Sequence, residues 1–351
     1  MTYVTLALAA AVAAFVFTPL VRALADRAGA IDVPDGRRVH DVAVPRLGGV
    51  AVLLACIVPL VLGPWLGTDV RALLVASGWD VGALFAGVLV IVATGVVDDT
   101  RGLGPLPKLV LQIVAAAVAV GGGYGLIGVT IPFTGGFVAF GVFAPLVTVV
   151  WIVSITNAFN LIDGLDGLAT GVALIASATL LAISLSEGRA DAACLWATLG
   201  GALVGFLRYN FNPASIFLGD SGSLLLGYLF AVLSIQSLQK GAAAVVVVAP
   251  LLALGLPIME VVLTFLRRTL ESGLGSVVRG DREHIHDRLV ARGMTHRGAV
   301  LTLYVVCAAF GGLAFLAVLA SGPGNAVVVA VAAAATIAGV RALGYRRRPR
   351  S

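Results

Sequence analysis

The sequence predicts an all-α integral membrane protein, a polytopic bundle of about 11 transmembrane helices, and three observations carry that expectation. Of 351 residues, 60% are hydrophobic and only 12% are charged, and the mean hydropathy is +1.05. A domain whose surface faces water is never so apolar. Apolar runs of bilayer-crossing length recur from end to end, and the basic residues are shared unequally between the segments that join them.

The runs are 2–21, 47–66, 82–97, 107–123, 137–156, 167–186, 192–209, 222–238, 243–266, 299–320 and 325–343. The first has no basic residue ahead of it and Arg22 and Arg27 behind it, the reverse of a secretory signal, so it is read as a retained helix with its N-terminus outside. The second opens with the Gly48-Gly49 pair, and the third is followed by Asp98 and Asp99. The fifth and sixth flank the polar stretch "NAFNLIDGLDG", the seventh and eighth flank "RYNFNPASIFLGDSGS", and the ninth leads into a long basic loop, 267–298. That loop is the longest polar connection, so the whole of 1–351 reads as one membrane domain.

Alternating sides from an outer N-terminus makes 22–46, 98–108, 157–166, 208–221, 267–298 and the tail cytoplasmic. Every Lys and Arg except Arg71, Arg189 and Lys240 then lies on the cytoplasmic side, as the positive-inside rule requires. The expected location is therefore the cell membrane. The tail "RALGYRRRPRS" suits anionic lipid, at about 1 kcal/mol per basic residue, and no nucleic-acid partner is expected. Cys56, Cys194 and Cys307 fall within spans without ligand spacing and read as small core residues.

The unusual polar residues collect on this one face. Asn157, Asn160, Asp163 and Asp166 are three residues apart between two apolar runs. A buried polar group without a partner costs several kcal/mol. Asp-Gly pairs are common turn and capping signals, which accounts for the aspartates but not for the asparagines. If the helix continues through 157–163, Asn157, Asn160 and Asp163 share a face. Asp98 and Asp99 read either as a solvated helix end or as paired carboxylates needing a cation or a base such as Arg101 or Lys108. In "FLGDSGS", Asp220 is either a turn residue or an oxygen ligand for a hard divalent ion, with Asn160 as a second ligand. "HIHDRL", flanked by Arg282 and Arg288, suits phosphate better than zinc, having no third soft ligand. "RRVHDVAVPRLGG" adds Arg37, Arg38 and His40 to the same face.

An acidic, metal-ready cluster ringed by bases is the arrangement phosphoryl transfer needs. Two anions that must meet repel by about 4 kcal/mol per charge pair at 4 Å and an effective dielectric near 20, and cations remove that obstacle.

Taken in order, "VVDD" (96–99), "NAFNLIDGLDGLA" (157–169), "FLGDSGS" (217–223) and "HIHDRL" (284–289) resemble the polyprenyl-phosphate N-acetylhexosamine-1-phosphate transferases, of the glycosyltransferase family 4 type. The resemblance spans about Arg37 to Leu289. It implies that a nucleoside-diphosphate amino sugar gives its sugar-1-phosphate to a polyprenyl phosphate, releasing UMP and using Mg²⁺, for which Mn²⁺ substitutes. By motif, it implies that Asn160 and Asp220 hold the metal and that Asp98 and Asp99 are catalytic carboxylates. Asp163 and Asp166 orient the diphosphate and uridine, Asp163 counting with the catalytic set. Phe217 stacks on uracil with Asn210 beside it, and His284, His286 and Arg288 hold phosphate or sugar. Asn157, Lys108, Arg38, His40 and Arg282 complete the expected substrate contacts.

His-Ile-His and "RRVHDVAVPRLGG" resemble the branch that uses UDP-N-acetylglucosamine on undecaprenyl or decaprenyl phosphate, whereas the muramyl-pentapeptide branch carries three consecutive histidines. Two positions depart from the pattern: Asp287 stands where a further histidine is usual, and Arg38 where a lysine is often found. The resemblance also implies an extended hairpin at 121–137 on the outer face, and it leaves room for a homodimer.

Direct attack by the lipid phosphate and a two-step route through an aspartyl phosphate both fit these residues. A reading from another class, an ion-coupled transporter, wants carboxylates deep in the membrane and related halves. Glu260 is the one carboxylate set inside a span. A catalytically silent scaffold gives no reason for four clustered motifs.

Overall fold

A computed structural model describes residues 2–32, 43–68, 70–130, 136–239, 251–272, 284–320 and 323–342. The architecture is an all-α bundle. Its helices are α1 (Thr2–Ala28), α2 (Gly48–Leu62), α3 (Val70–Ala76), α4 (Val81–Arg101), α5 (Pro105–Gly121), α6 (Ala144–Ile162), α7 (Leu168–Ser186), α8 (Ala190–Asn210), α9 (Gly219–Gln239), α10 (Gly255–Ser272), α11 (Ile285–Ala291), α12 (His296–Leu319) and α13 (Pro323–Ala342). Among the described residues seven helical segments are long and apolar enough to cross a membrane: Thr2–Ala28, Gly48–Trp65, Val81–Arg101, Gly141–Ile162, Leu168–Ser186, Ala190–Asn210 and His296–Leu319. Pro105–Gly121, Gly255–Thr264 and Ala326–Arg341 are apolar but shorter. Each run expected from the sequence overlaps a helix.

Two antiparallel strand pairs decorate the bundle. β1 (Ile31–Asp32) pairs with β2 (Val44–Pro45), and β3 (Gly128–Thr130) pairs with β4 (Phe137–Ala139), Val129 facing Val138. The second pair lies only partly within 121–137, the stretch expected to form a hairpin, of which 131–135 lie outside the described residues; the fifth apolar run opens with β4 and is helical from Gly141.

Helix α9 is the axis. Its residues 221–228 are all buried, which is where a helix without a polar face belongs. Small residues let its neighbours close on it, the usual device where lipid cannot drive helices together. A Cβ on Gly49 of α2 would stand 2.1 Å from the Gly222 nitrogen, one on Gly95 of α4 would stand 2.3 Å from Ser221 Cα, and one on Gly227 would stand 2.5 Å from Thr156 Cα of α6. Phe230 stacks on Phe159 and Trp196 at centroid distances of 5.0 and 5.2 Å. On the periphery, Gly201 and Gly205 of α8 receive α1, whose Ala7 and Ala11 carbonyl oxygens lie 2.1 and 2.3 Å from the positions their Cβ atoms would take.

Two helix ends depart from expectation for local reasons. The third span does not stop at 97: α4 continues to Arg101, so Asp98 and Asp99 belong to its last turn. Helix α6 stops at Ile162, and Asp163 is its cap, with φ −81° and ψ 48°. Asn157 and Asn160 therefore share a helical face, while Asp163 starts the turn that leads to Gly167, whose φ of 78° precedes α7.

Candidate active site

The C-terminal ends of α4 and α6 and the N-terminal ends of α5 and α9 meet at one end of the bundle, and the polar motifs meet with them. Lys108, in the first turn of α5, donates to Asp98 Oδ2 at 2.9 Å and also bonds Asp220 Oδ2. The other Asp98 oxygen accepts the Leu103 backbone N–H at 2.6 Å. Asn160 Nδ2 donates to Asp220 Oδ1 at 3.1 Å and to Ser223 Oγ at 3.0 Å. Residues far apart in the sequence thus form one chain of contacts: Asp98, Lys108, Asp220, Asn160 and Ser223.

Asp99 does something different from its neighbour. It is buried, at 7% exposure, and its two oxygens accept the backbone N–H groups of Asp220 and Ser221 at 2.9 and 3.0 Å. It caps α9 from another helix, and only glycine at 95 lets α4 come close enough. The residue expected as a second catalytic carboxylate is occupied in holding Asp220 in place.

Asp163 is half-buried beside this cluster, and among the described residues its carboxylate has no hydrogen-bond partner. Burial, followed by the negative charges of Asp220 and Asp99, pushes it well above the usual carboxylate range, against the opposing pull of Arg46. Arg46 is itself tied to Asp32 at 2.7 Å. The segment after Arg46 locks onto the Asp220 loop: Phe217 N–H donates to the Pro45 carbonyl at 2.8 Å, and the amides of Gly48 and Gly49 donate to the carbonyls of Phe217 and Leu218 at 3.0 Å. Phe217 is half-buried.

Three residues expected to contact substrate make hydrogen bonds to the framework. Asn210, 3% exposed, accepts from Thr170 Oγ1 at 2.6 Å and donates to the Ile216 carbonyl at 3.0 Å. It braces the loop beneath Phe217 rather than facing a ligand, because the end of α8 tucks it against α7. Asp166 neither caps α7 nor faces Asp220: its Oδ2 accepts from Asn212 Nδ2 at 2.9 Å and from Ala214 N–H at 3.1 Å. Asn157 Nδ2 donates to its own helix at Val153, 2.8 Å away, and to Gln112 Oε1 at 2.5 Å.

The His-Ile-His element sits against the same turn. His286 is buried, and a Cβ on Gly164 would come within 2.1 Å of its Nε2. Burial holds its imidazole below the ordinary value, so it is predominantly neutral near pH 7. His284 and His286 stack with centroids 5.7 Å apart, and His284 caps α11 reciprocally with Asp287. Asp287 thus has a local structural use at the position where the family pattern has a histidine. Arg288 is half-buried on α11. Arg38, His40 and Arg282 lie outside the described residues.

Sequence reasoning missed several supports. His296 Nε2 accepts the Asp166 N–H at 2.9 Å, Tyr304 OH donates to the Gly167 carbonyl at 2.6 Å, and Arg297 Nε donates to the Asn212 carbonyl at 3.0 Å. Helix α12 therefore carries both loops. The available signal was that His296 is one of only 4 histidines in the chain.

Among the described residues no three His, Cys, Asp or Glu side chains already form a metal cage. The donor chemistry nonetheless fits a hard ion. Asp220 and Asn160 are side by side, and Asp163 borders them, its proton affinity raised by burial and by the charges of Asp220 and Asp99. Mg²⁺ typically takes one or two carboxylates and fills its shell with water and phosphate.

Residues 81–238, which hold three of the four motifs, match glycosyl transferase family 4. A probable undecaprenyl-phosphate N-acetylglucosaminyl 1-phosphate transferase of Bacillus subtilis (strain 168) is 37% identical over 83% of this chain and 78% of its own. A decaprenyl-phosphate N-acetylglucosaminephosphotransferase of Mycobacterium tuberculosis is 35% identical over 85% of this chain and 78% of its own. A phospho-N-acetylmuramoyl-pentapeptide-transferase of Clostridium perfringens is 33% identical, but only over 54% of this chain and 60% of its own. With two such relatives aligned along most of its length, and with the motifs joined at one end of the bundle, this chain belongs to glycosyl transferase family 4.

Proposed function

We propose that the protein transfers N-acetylglucosamine-1-phosphate from UDP-N-acetylglucosamine to a polyprenyl phosphate, giving the lipid-linked diphosphosugar and UMP at the first membrane step of a cell-envelope glycan pathway. The observation that carries the chemistry is the bridge of Lys108 between Asp98 and Asp220, with Asn160 on the second Asp220 oxygen. The names of the well-covered relatives give the transferred group and the polyprenyl phosphate acceptor, and support this reading.

In this reading the chain crosses the cell membrane about 11 times, with its N-terminus outside and the site at the cytoplasmic surface, where lipid phosphate and nucleotide meet. Asp220 and Asn160 would hold Mg²⁺. When bound, the ion offsets the charge of the diphosphate and of the departing UMP. Lys108 supplies a fixed positive charge between the carboxylates and orients both. Asp163 presents an oxygen toward the same space, and His286 borders it as a neutral imidazole. Phe217 offers a ring to the nucleobase.

Direct attack by the lipid phosphate is favoured over an aspartyl-phosphate route. One Asp98 oxygen is held by Lys108 and the other by the Leu103 amide, and both Asp99 oxygens are held by α9. Neither carboxylate has an oxygen poised as a nucleophile. A phosphate monoester, with a second pKa near 6, is already mostly ionised at neutral pH and needs little help from a base.

Membranes containing the protein, incubated with labelled UDP-N-acetylglucosamine, polyprenyl phosphate and Mg²⁺, should form lipid-linked label that excess unlabelled UMP reverses. Product from the muramyl-pentapeptide nucleotide alone would move the protein to the other branch. UMP exchange without lipid acceptor would refute direct attack. Asp220→Ala should abolish the metal-dependent product, whereas a transporter or scaffold would be indifferent to Mg²⁺.

A further inference from the structure

Glu260 is the carboxylate that the transferase motifs leave unexplained. It lies on α10 at 1% exposure, and it is not an open ion site. Its Oε1 is 2.6 Å from His284 Nδ1, its Oε2 accepts the Ile285 backbone N–H at 3.1 Å, and Thr264 Oγ1 approaches Oε1 at 3.4 Å. The contact joins a carboxylate oxygen to a ring nitrogen of His284 and leaves that ring little freedom to turn. That fixes the ring plane, as second partners of functional histidines generally do. His284 then stacks on His286, ring planes 10° apart, and the Nε2 of His286 occupies the space beside Gly164. A line of contacts therefore runs from inside the bundle to the turn that carries Asp163.

We propose that Glu260 is a positioning residue of the transferase: it sets the orientation of His284 and, through the stacked rings, the seat of His286 against the Asp163-Gly164 turn. The assignment rests on the transferase reading of the same site. It turns this buried carboxylate, which a transporter would use for ions, into an anchor for the His-Ile-His element. Glu260 reaches no reacting atom itself, and it acts through His284.

A mutant cycle on the full-length protein in purified membranes tests this, with transfer rates normalised to folded protein. Glu260→Ala and His284→Ala should each lower kcat/KM roughly 10–100-fold, the range seen when the partner of a held histidine is removed. The double variant should be no worse than His284→Ala alone, because Glu260 has nothing left to position. Glu260→Gln keeps the volume and one acceptor, serves fewer donors, and should fall between wild type and Glu260→Ala. It replaces Glu260→Ala in the cycle if the alanine variant fails to fold. Losses that multiply in the double variant, or full activity in Glu260→Ala, overturn the assignment. Wild-type membranes that make no lipid-linked product refute the transferase reading itself, and the role of Glu260 with it. Wild-type activity with multiplying losses refutes the role of Glu260 alone.

Discussion

Asp99 accepts the backbone amides of Asp220 and Ser221, so the first turn of α9 is fixed by a side chain from α4. Two adjacent aspartates consequently have opposite mutational signatures. Asp99→Asn should destabilise the protein by about 1–2 kcal/mol, the scale of a lost helix cap, with activity falling in step with folded protein. Asp98→Asn should leave thermal unfolding near wild type and remove most of the transfer rate. Parallel melting curves and product assays on the two variants check the split.

Lys108 pairs directly with Asp220, the residue proposed to hold a divalent ion. Replacing the lysine with methionine should lower kcat roughly 100-fold, as loss of a fixed electrostatic contact typically does. The vacated carboxylate oxygen should then take metal more readily, so the half-saturating Mg²⁺ concentration should fall rather than rise. Titrating Mg²⁺ against initial rate in Lys108→Met separates the two effects.

The raised proton affinity of Asp163 comes first from burial and then from the charges of Asp220 and Asp99. Its folded-state value lies above the unfolded one, so the folded chain holds more protons in that window. The stability it contributes is full below the ordinary carboxylate range and is lost as pH rises through the folded value. Without metal, Asp163→Asn should therefore raise Tm at neutral pH by roughly 2–4 °C, while lowering transfer activity. Thermal unfolding in EDTA from about pH 4 to 8 should show a flatter profile for the variant than for wild type.

Glycines at 49 and 164 divide stability from function. A Cβ at 49 would meet the Gly222 backbone at 2.1 Å, whereas one at 164 would meet the side-chain ring of His286, also at 2.1 Å. Backbone cannot yield cheaply, so Gly49→Ala should cost about 1–3 kcal/mol through overpacking. Gly164→Ala should displace a ring instead, lowering kcat/KM with a smaller loss of stability. Comparing unfolding midpoints with rates for both variants tests the distinction.

The convergence of Asp98, Lys108, Asp220 and Asn160 was legible because polar groups at the ends of apolar runs must find one another. The alternation of basic loops pointed to a shared end. The division of labour among them was not legible. Whether Asp99 faces a substrate or a backbone amide depends on the approach of α4 to α9, which Gly95 permits but does not announce. The hydrogen bonds of Asn210 and Asp166 were not legible for the same reason: their partners, Thr170, Ile216, Asn212 and Ala214, are decided by how two loops fold over α7. Arg46 escaped notice because its pairing with Asp32 requires strands of only two residues each, too short to leave a pattern. Glu260 was visible as an oddity, but its meaning needed the placement of α11.

The seating of α1 in the groove of Gly201 and Gly205 bears on biosynthesis. The ribosome finishes the first helix roughly 160 residues before it begins the eighth, an interval of roughly ten to thirty seconds at 5–20 residues per second. For that time the nascent hydrophobic segment has lipid or the insertion machinery as its neighbour. Enlarging either glycine should therefore leave a newly made chain stranded with an undocked first helix, exposed to quality-control proteolysis before any substrate is met.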